Sequence, residues 1–97
     1  MSDQETQAQV EVREAFVYML ECADGTLYTG WTYQLEERLK RHNSGKGARY
    51  TRARLPVKMV YSERLPGERA ARQREYALKQ LPRSAKLLLI SQYKGQP

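Results

Sequence analysis

Residues 15–32 read AFVYMLECADGTLYTGWT, and this stretch decides the fold. Two runs rich in strand-forming residues, 16–22 and 27–32, flank a short polar segment. That segment contains Asp24-Gly25, a dipeptide typical of tight β-hairpin turns. The sequence therefore predicts that the first two structural elements form an antiparallel hairpin.

The length of the hairpin loop decides where two tyrosines point. A two-residue turn would leave Tyr18 and Tyr28 on opposite faces, because side chains alternate along a strand. A three-residue loop over 23–25 would pair Tyr18 with Gly30 and place both rings on one face. Gly30 would then leave space beside the Tyr18 ring. The sequence leaves both registers open.

The rest of the chain alternates helical and strand-like patterns. Apolar spacing of three or four residues predicts helices, a run of β-branched and aromatic residues predicts a strand, and Gly and Pro mark the breaks. The predicted order is ββαβαα, a small sheet covered by helices in the α+β class. The predicted elements after the hairpin are a helix at 34–44, a basic loop at 46–56, a strand at 57–62 and helices at 67–80 and 84–92.

Composition and charge point to a polyanionic partner. The 97 residues suffice for one domain, which we place at 15–97 after a flexible acidic tail at 1–14 of net charge −3. The whole chain carries +6, and seven basic residues without an acidic one lie between Arg38 and Arg54. This pattern favours nucleic acid over a solvated, merely solubilising surface. We expect Lys46, Arg49, Arg52 and Arg54 to bind it.

Other classes of protein fit less well. No run of about 18 apolar residues could span a membrane, and the start resembles no secretory signal, so we expect a cytoplasmic location. The basic run also lacks an apolar stripe for membrane binding. Cys22 is the single cysteine. It lies in a strand-like run, which favours a core position over a catalytic nucleophile.

Glu75 is a carboxylate on an apolar helix face. It lies four residues after Ala71 and three before Leu78, so it points the same way as both. Such a carboxylate costs several kcal/mol unless it is compensated. A basic partner and a metal ion are both adequate compensations, and periodicity alone leaves the choice open.

Arg38 and His42 are four residues apart in the first predicted helix and therefore share a face. A guanidinium and an imidazole together suit a phosphate, since the arginine binds its oxygens and the histidine can move a proton. The alternative is an exposed basic helix end with His42 packed beside Leu39. His42 is the only histidine, so a site with several histidine ligands is excluded.

The order of these motifs resembles that of the GIY-YIG nuclease superfamily. Val17-Tyr18-Met19 followed by Tyr28-Thr29-Gly30 looks like its paired tyrosine motif. Residues 37–42 are similar to its helix motif, and 45–51 to the basic loop of small stand-alone bacterial members, called YhbQ-like. Residues 74–79 resemble the helix that bears its metal-binding glutamate. The resemblance covers residues 16–90.

This resemblance implies a three-stranded antiparallel sheet flanked by helices, and hydrolysis of phosphodiester bonds with one divalent ion, Mg²⁺ or Mn²⁺. Glu75 would hold the ion, and Tyr18 or Tyr28 would act as general base or orient the attacking water. Arg38 would neutralise phosphate charge, and His42 would bind phosphate or assist proton transfer. The expected substrate is DNA cut with low sequence specificity, as in DNA repair or a damage response.

Two further hypotheses stay open at this stage. The domain could be a non-catalytic nucleic-acid-binding module that keeps the fold and the basic loop. It could also be an adaptor that binds a protein partner in which the activity resides. The sequence does not distinguish DNA from RNA, or an endonuclease from an exonuclease.

Overall fold

A computed structural model describes residues 13–93. Within them the order is ββααβαα, so the predicted α+β class is confirmed. The elements are β1 (Ala15–Glu21), β2 (Leu27–Thr32), α1 (Leu35–Asn43), α2 (Arg49–Arg52), β3 (Lys58–Leu65), α3 (Glu68–Gln80) and α4 (Arg83–Gln92). Residues 1–12 of the predicted tail at 1–14 lie outside the described residues. Its last two residues precede β1, which begins at the predicted domain boundary.

The sheet has three antiparallel strands in the order β2-β1-β3. In the hairpin, Tyr18 pairs with Gly30 and Leu20 with Tyr28. This is the register expected for the three-residue loop. The Asp24 carboxylate fixes the turn by accepting hydrogen bonds from the Thr26 amide and hydroxyl at 3.0 and 2.6 Å.

β1 is the central strand, and both of its faces are covered, which explains why its sequence is continuously apolar. On one face Val17 and Met19 pack with Leu78 of α3 and with side chains of α4. On the other face Tyr18 and Leu20 pack with apolar residues of α1 and of the segment before β3. The sheet is thus the middle layer, and Tyr18 lies within the α1 side.

Two elements differ from the sequence prediction. The basic loop at 46–56 contains one helical turn, α2, which has too few residues to show a periodic pattern. The third strand runs on to Leu65 instead of ending at Ser62, because its pairing with β1 continues to Ala15. Charged residues such as Arg64 are tolerated there, since β3 is an edge strand with partly exposed positions.

None of the helices within residues 13–93 has the length and apolar character needed to cross a bilayer. Cys22 is buried and free, as expected for a core residue.

Candidate functional site

Side chains from four elements meet around the hydroxyl group of Tyr18. The Tyr18 Oη atom lies 2.9 Å from Nε2 of His42, although the two residues are 24 positions apart in the chain. The Tyr28 ring lies 5.3 Å from the His42 ring and 6.4 Å from the Tyr18 ring, measured between centroids. Arg38 and Glu75 both act electrostatically on the Tyr18 hydroxyl. The structure therefore brings Tyr18, Tyr28 and His42 into contact, and it places Arg38 and Glu75 close enough to act on the Tyr18 hydroxyl through their charges.

Hydrogen bonding fixes the proton positions on His42. Its Nδ1 atom lies 2.9 Å from the Thr51 hydroxyl, and that hydroxyl donates its one hydrogen to the Ala48 carbonyl at 2.9 Å. Thr51 must then accept a hydrogen bond from Nδ1–H. In the neutral ring Nε2 carries a lone pair, so it accepts the hydrogen bond from Tyr18.

His42 is held in this neutral form by its surroundings. Burial, and then the positive charge of Arg38, lower the pKa of His42. Its side chain is 1% exposed and both ring nitrogens are bonded to protein groups. The expected direct contact between His42 and phosphate does not fit this geometry, whereas a role in holding or moving the Tyr18 proton does.

Tyr18 is kept protonated. Burial raises its pKa to about 12, with Tyr28 and Glu75 adding to the shift and Arg38 opposing it. The side chain is fully buried. At neutral pH Tyr18 is therefore a hydrogen-bond donor to His42, and it is a poor candidate for the general base.

Glu75 faces inward from α3, as its spacing from Ala71 and Leu78 indicates. Both of those residues are fully buried, and the Glu75 side chain is 21% exposed. Its ion-pair partner is Lys79, 3.2 Å away and half exposed on the same helix. An exposed pair of this kind contributes only a few tenths of a kcal/mol, so it compensates the half-buried carboxylate poorly. Both alternatives for Glu75, a basic partner and a metal ion, thus stay open.

The structure offers few other acidic or histidine ligands. Within residues 13–93 no three His, Cys, Asp or Glu side chains cluster as a metal site would require. A single carboxylate is compatible with Mg²⁺, which usually keeps several of its water ligands and binds through one or two carboxylates plus substrate phosphates.

A stack of side chains holds the outer face of the site. The Tyr50 ring of α2 stacks on Tyr28, with centroids 6.0 Å apart and planes 26° apart. The Arg54 guanidinium lies 3.9 Å from the Tyr50 centroid and donates to the Tyr50 carbonyl at 2.7 Å. It also donates to Asp24 at 3.0 Å. The hairpin turn is thereby linked through Arg54 and Tyr50 to Tyr28.

Arg54 consequently differs from the other predicted nucleic-acid-binding residues. Its guanidinium is engaged with Asp24 and Tyr50 within the protein. Lys46, Arg49 and Arg52 are exposed and form no ion pair among residues 13–93. Their binding role stays a prediction.

Two glycines allow the close approaches on which the site depends. A Cβ atom on Gly30 would lie 2.7 Å from the Tyr18 Oη atom, which supports the predicted space beside that ring. A Cβ atom on Gly47 would overlap the His42 ring and lie 2.9 Å from the His42 Cα atom. The sequence reasoning did not single out Gly47, Tyr50 or Thr51. All three fall in the segment 45–51 that carries the family resemblance, and this was the available signal.

A small concavity opens above the site. Its volume is about 350 Å³, and Tyr28, Arg38, Arg41 and Lys46 contribute to its wall. Tyr28 also lines a second concavity with Tyr50, Lys79 and Lys86. Tyr28 is therefore the site tyrosine that solvent and a ligand can reach.

Comparison with known families agrees with this arrangement. Residues 14–88 match the model of the GIY-YIG catalytic domain. This match covers most of the chain, so the protein belongs to the GIY-YIG family, a superfamily of nucleases that act on nucleic acid and generally use divalent metal ions.

The particular relatives are small proteins of similar length. UPF0213 protein SAG0778 of Streptococcus agalactiae is 54% identical over 84% of this chain and 93% of its own. UPF0213 protein CPE1444 of Clostridium perfringens is 57% identical over 78% of this chain and 82% of its own. The solution structure of UPF0213 protein BH0048 from Bacillus halodurans has 44% identity and a TM-score of 0.55, and the match covers 84% of this chain and 87% of that one.

Proposed function

We propose that this protein hydrolyses phosphodiester bonds in DNA, with one Mg²⁺ or Mn²⁺ ion held by Glu75. The observation that carries the proposal is the contact of Tyr18, Tyr28 and His42 beside a basic concavity, with Arg38 in its wall and the charge of Glu75 acting on Tyr18 from α3. If Glu75 only formed a salt bridge with a basic partner, two tyrosines, a neutral histidine and an open basic wall would not be needed nearby. Low sequence specificity fits, because backbone contacts from basic side chains carry no sequence information.

The residues present fit a hydrated divalent ion. Glu75 offers one partly exposed carboxylate, and water and substrate phosphate oxygens would supply the remaining ligands of the ion. When bound, such an ion supplies charge neutralisation at the phosphate and at the leaving oxygen.

Tyr28 is the residue we assign to the attacking water. It is partly exposed, lines both concavities and is held by Tyr50 on one side. Tyr18 is fully buried, and its proton is directed to His42. Tyr28 would orient the water by accepting a hydrogen bond from it at the hydroxyl oxygen, while the Tyr18–His42 pair would fix the geometry behind it. Arg38 would bind the phosphate oxygens as negative charge develops.

The test is cleavage of labelled single-stranded, duplex and branched DNA by the purified protein, with and without Mg²⁺ or Mn²⁺. We expect Glu75→Gln and Tyr28→Phe to lose at least 100-fold in rate, the order of magnitude for an electrostatic or acid–base group. Both variants should keep their thermal stability and their affinity for DNA. Glu36→Gln, which removes an exposed carboxylate in the first turn of α1 that lines neither concavity, is the matched control.

Two results would contradict the proposal. If Glu75→Gln cleaves as fast as the wild type, the assignment of the metal is wrong. If the wild type binds every substrate and cleaves none, the domain is a nucleic-acid-binding module that has kept the fold.

A further inference from the structure

A large groove runs along the exposed side of α1, next to the candidate active site. Its volume is about 820 Å³. The wall combines two aromatic side chains with a group of cations that outnumber the one acidic residue, Glu37. The aromatic side chains are Trp31 and Tyr33, and the cations are Arg13, Arg38, Lys40, Arg41 and Lys46. Neither the metal nor the tyrosine cluster of the proposed reaction uses the aromatic end of this groove.

The two aromatic rings form a fixed pair. Trp31 and Tyr33 pack edge to face, with centroids 5.2 Å apart and planes 86° apart. The Tyr33 hydroxyl donates to Glu68 of α3 at 3.1 Å, which anchors the ring. Arg13 lies 3.9 Å from the Tyr33 centroid and Arg72 lies 5.8 Å from that of Trp31. Rigid, partly exposed rings in a positive environment are the components of a base-stacking platform.

The groove adjoins the concavity above the active site, because the two share part of their walls. Arg38, Arg41 and Lys46 line both. Three cations therefore follow one path from the aromatic pair to Tyr28. A polyanionic backbone lying along this path would have a phosphate at Arg38 and its neighbouring nucleotides beside Trp31 and Tyr33.

We propose that this groove binds a single-stranded segment of nucleic acid, with an unpaired base stacked on Trp31. The inference rests on the proposed function, which makes the ligand a nucleic acid. It adds that the site prefers a single strand to a duplex. In a duplex the base faces are covered by their neighbours, so only an unpaired or splayed base can meet an aromatic ring. The cations alone would bind a single strand or a duplex, because they contact phosphates, which both contain. The aromatic pair therefore makes the site select single strands.

Trp31 is the only tryptophan in the chain, so its fluorescence reports this groove alone. The experiment titrates the protein without divalent metal, so that no cleavage occurs, with a single-stranded 15-mer and with the blunt duplex of that 15-mer and its complement. Fluorescence anisotropy of labelled DNA gives the occupancy in parallel. At equal occupancy we expect strong quenching by the single strand and little by the duplex. Equal quenching by both forms would overturn the proposal.

Variants test the stacking contact separately. Trp31→Ala should weaken binding to the single strand by roughly 5- to 100-fold and leave duplex binding within about twofold, since stacking is lost and phosphate contacts remain. Trp31→Phe, which keeps a ring and most of the packing, should retain most of the affinity. Tyr76→Ala removes an aromatic ring that is 68% exposed on α3 and lines none of these concavities, and it should change nothing.

These readouts are independent of catalysis. If the single strand alone quenches the fluorescence and no cleavage occurs under any condition, the proposal for the groove holds and the proposed nuclease activity is wrong. The opposite result is that Glu75→Gln abolishes cleavage while Trp31→Ala and Trp31→Phe keep the single-strand affinity. The proposed nuclease activity would then hold, and the proposal for the groove would be wrong.

Discussion

At the scale of single residues, His42 shows how burial can define a chemical role. The ring is enclosed by α1, α2 and β1, and each nitrogen has one partner. Thr51 fixes the tautomer, because its hydroxyl hydrogen is already given to the Ala48 carbonyl. The result is a neutral imidazole that accepts a hydrogen bond from the Tyr18 hydroxyl. A solvent-exposed histidine at the end of a helix would have been free to take either form.

The lowered pKa of His42 predicts a loss of stability in mild acid. Below the usual histidine pKa of about 6.5 the unfolded chain takes up a proton that the folded protein resists, so the free energy of unfolding falls as pH falls. The slope has an upper limit of about 1.4 kcal/mol per pH unit for one proton. Urea unfolding between pH 7.5 and 5 measures it. His42→Gln, which stays neutral, should give a shallower slope, whereas equal slopes would contradict the assignment.

The contact of Gly30 with Tyr18 predicts a second effect at this scale. Gly30→Ala would bring a Cβ atom to 2.7 Å from Oη and 2.9 Å from Cζ of a fully buried ring. We expect a loss of about 1–3 kcal/mol, the usual cost of overpacking a core. Tyr18→Phe removes the nearest atom. The double variant should therefore be more stable than the sum of the single effects implies, and strict additivity in urea unfolding would contradict the contact.

At the scale of elements, the single turn of α2 has a function beyond carrying positive charge. It presents Thr51 to His42 on one side and Tyr50 to Tyr28 on the other. Arg54 follows directly and ties α2 to the hairpin turn through Asp24. The segment between α1 and β3 therefore positions the two aromatic groups at the centre of the proposed reaction.

Arg54 and Arg52 make a matched pair of variants for this element. Arg54→Ala should lower the cleavage rate about tenfold through a misplaced Tyr28, with little effect on stability, since exposed ion pairs contribute at most about 1 kcal/mol. Arg52→Ala should instead weaken DNA binding and leave the rate at saturating substrate unchanged. Single-turnover kinetics separate the two effects. The opposite assignment of rate and affinity would show that Arg54 binds DNA directly.

At the scale of the whole molecule, the charge is concentrated on the side of α1 and α2. The chain carries +6 overall, Lys46 lines both the groove and the concavity, and Arg49 and Arg52 are exposed on α2. Such a surface attracts a polyanion by releasing its counterions, so binding should depend strongly on salt.

Alanine at Lys46, Arg49 or Arg52 should each reduce the slope of log Kd against log salt concentration by about one. The equivalent change at Arg64, an edge-strand residue paired with Glu14 at 3.7 Å, should leave the slope unchanged. Anisotropy titrations between about 50 and 200 mM salt measure these slopes. A slope unaffected by any of the three variants would place the nucleic acid elsewhere.

Sequence patterns alone predicted the hairpin, the family motifs, the inward direction of Glu75 and every strand and helix except the single turn α2. Each of these depends on spacing within a few residues, which a helix or strand converts directly into a face. The sequence also narrowed the hairpin to two registers, of which the structure has the one that unites Tyr18 and Tyr28.

The hydrogen bonds that connect the site residues could be learned only from the packing of distant segments. The bond between Tyr18 and His42 spans 24 positions, and that between Asp24 and Arg54 spans 30, so both depend on how the elements pack. The same packing buried His42, and it engaged Arg54 within the protein although the sequence grouped that residue with the DNA-binding cations. Local patterns identify which residues face the interior, but the partner that each one meets there is set by contacts between distant segments.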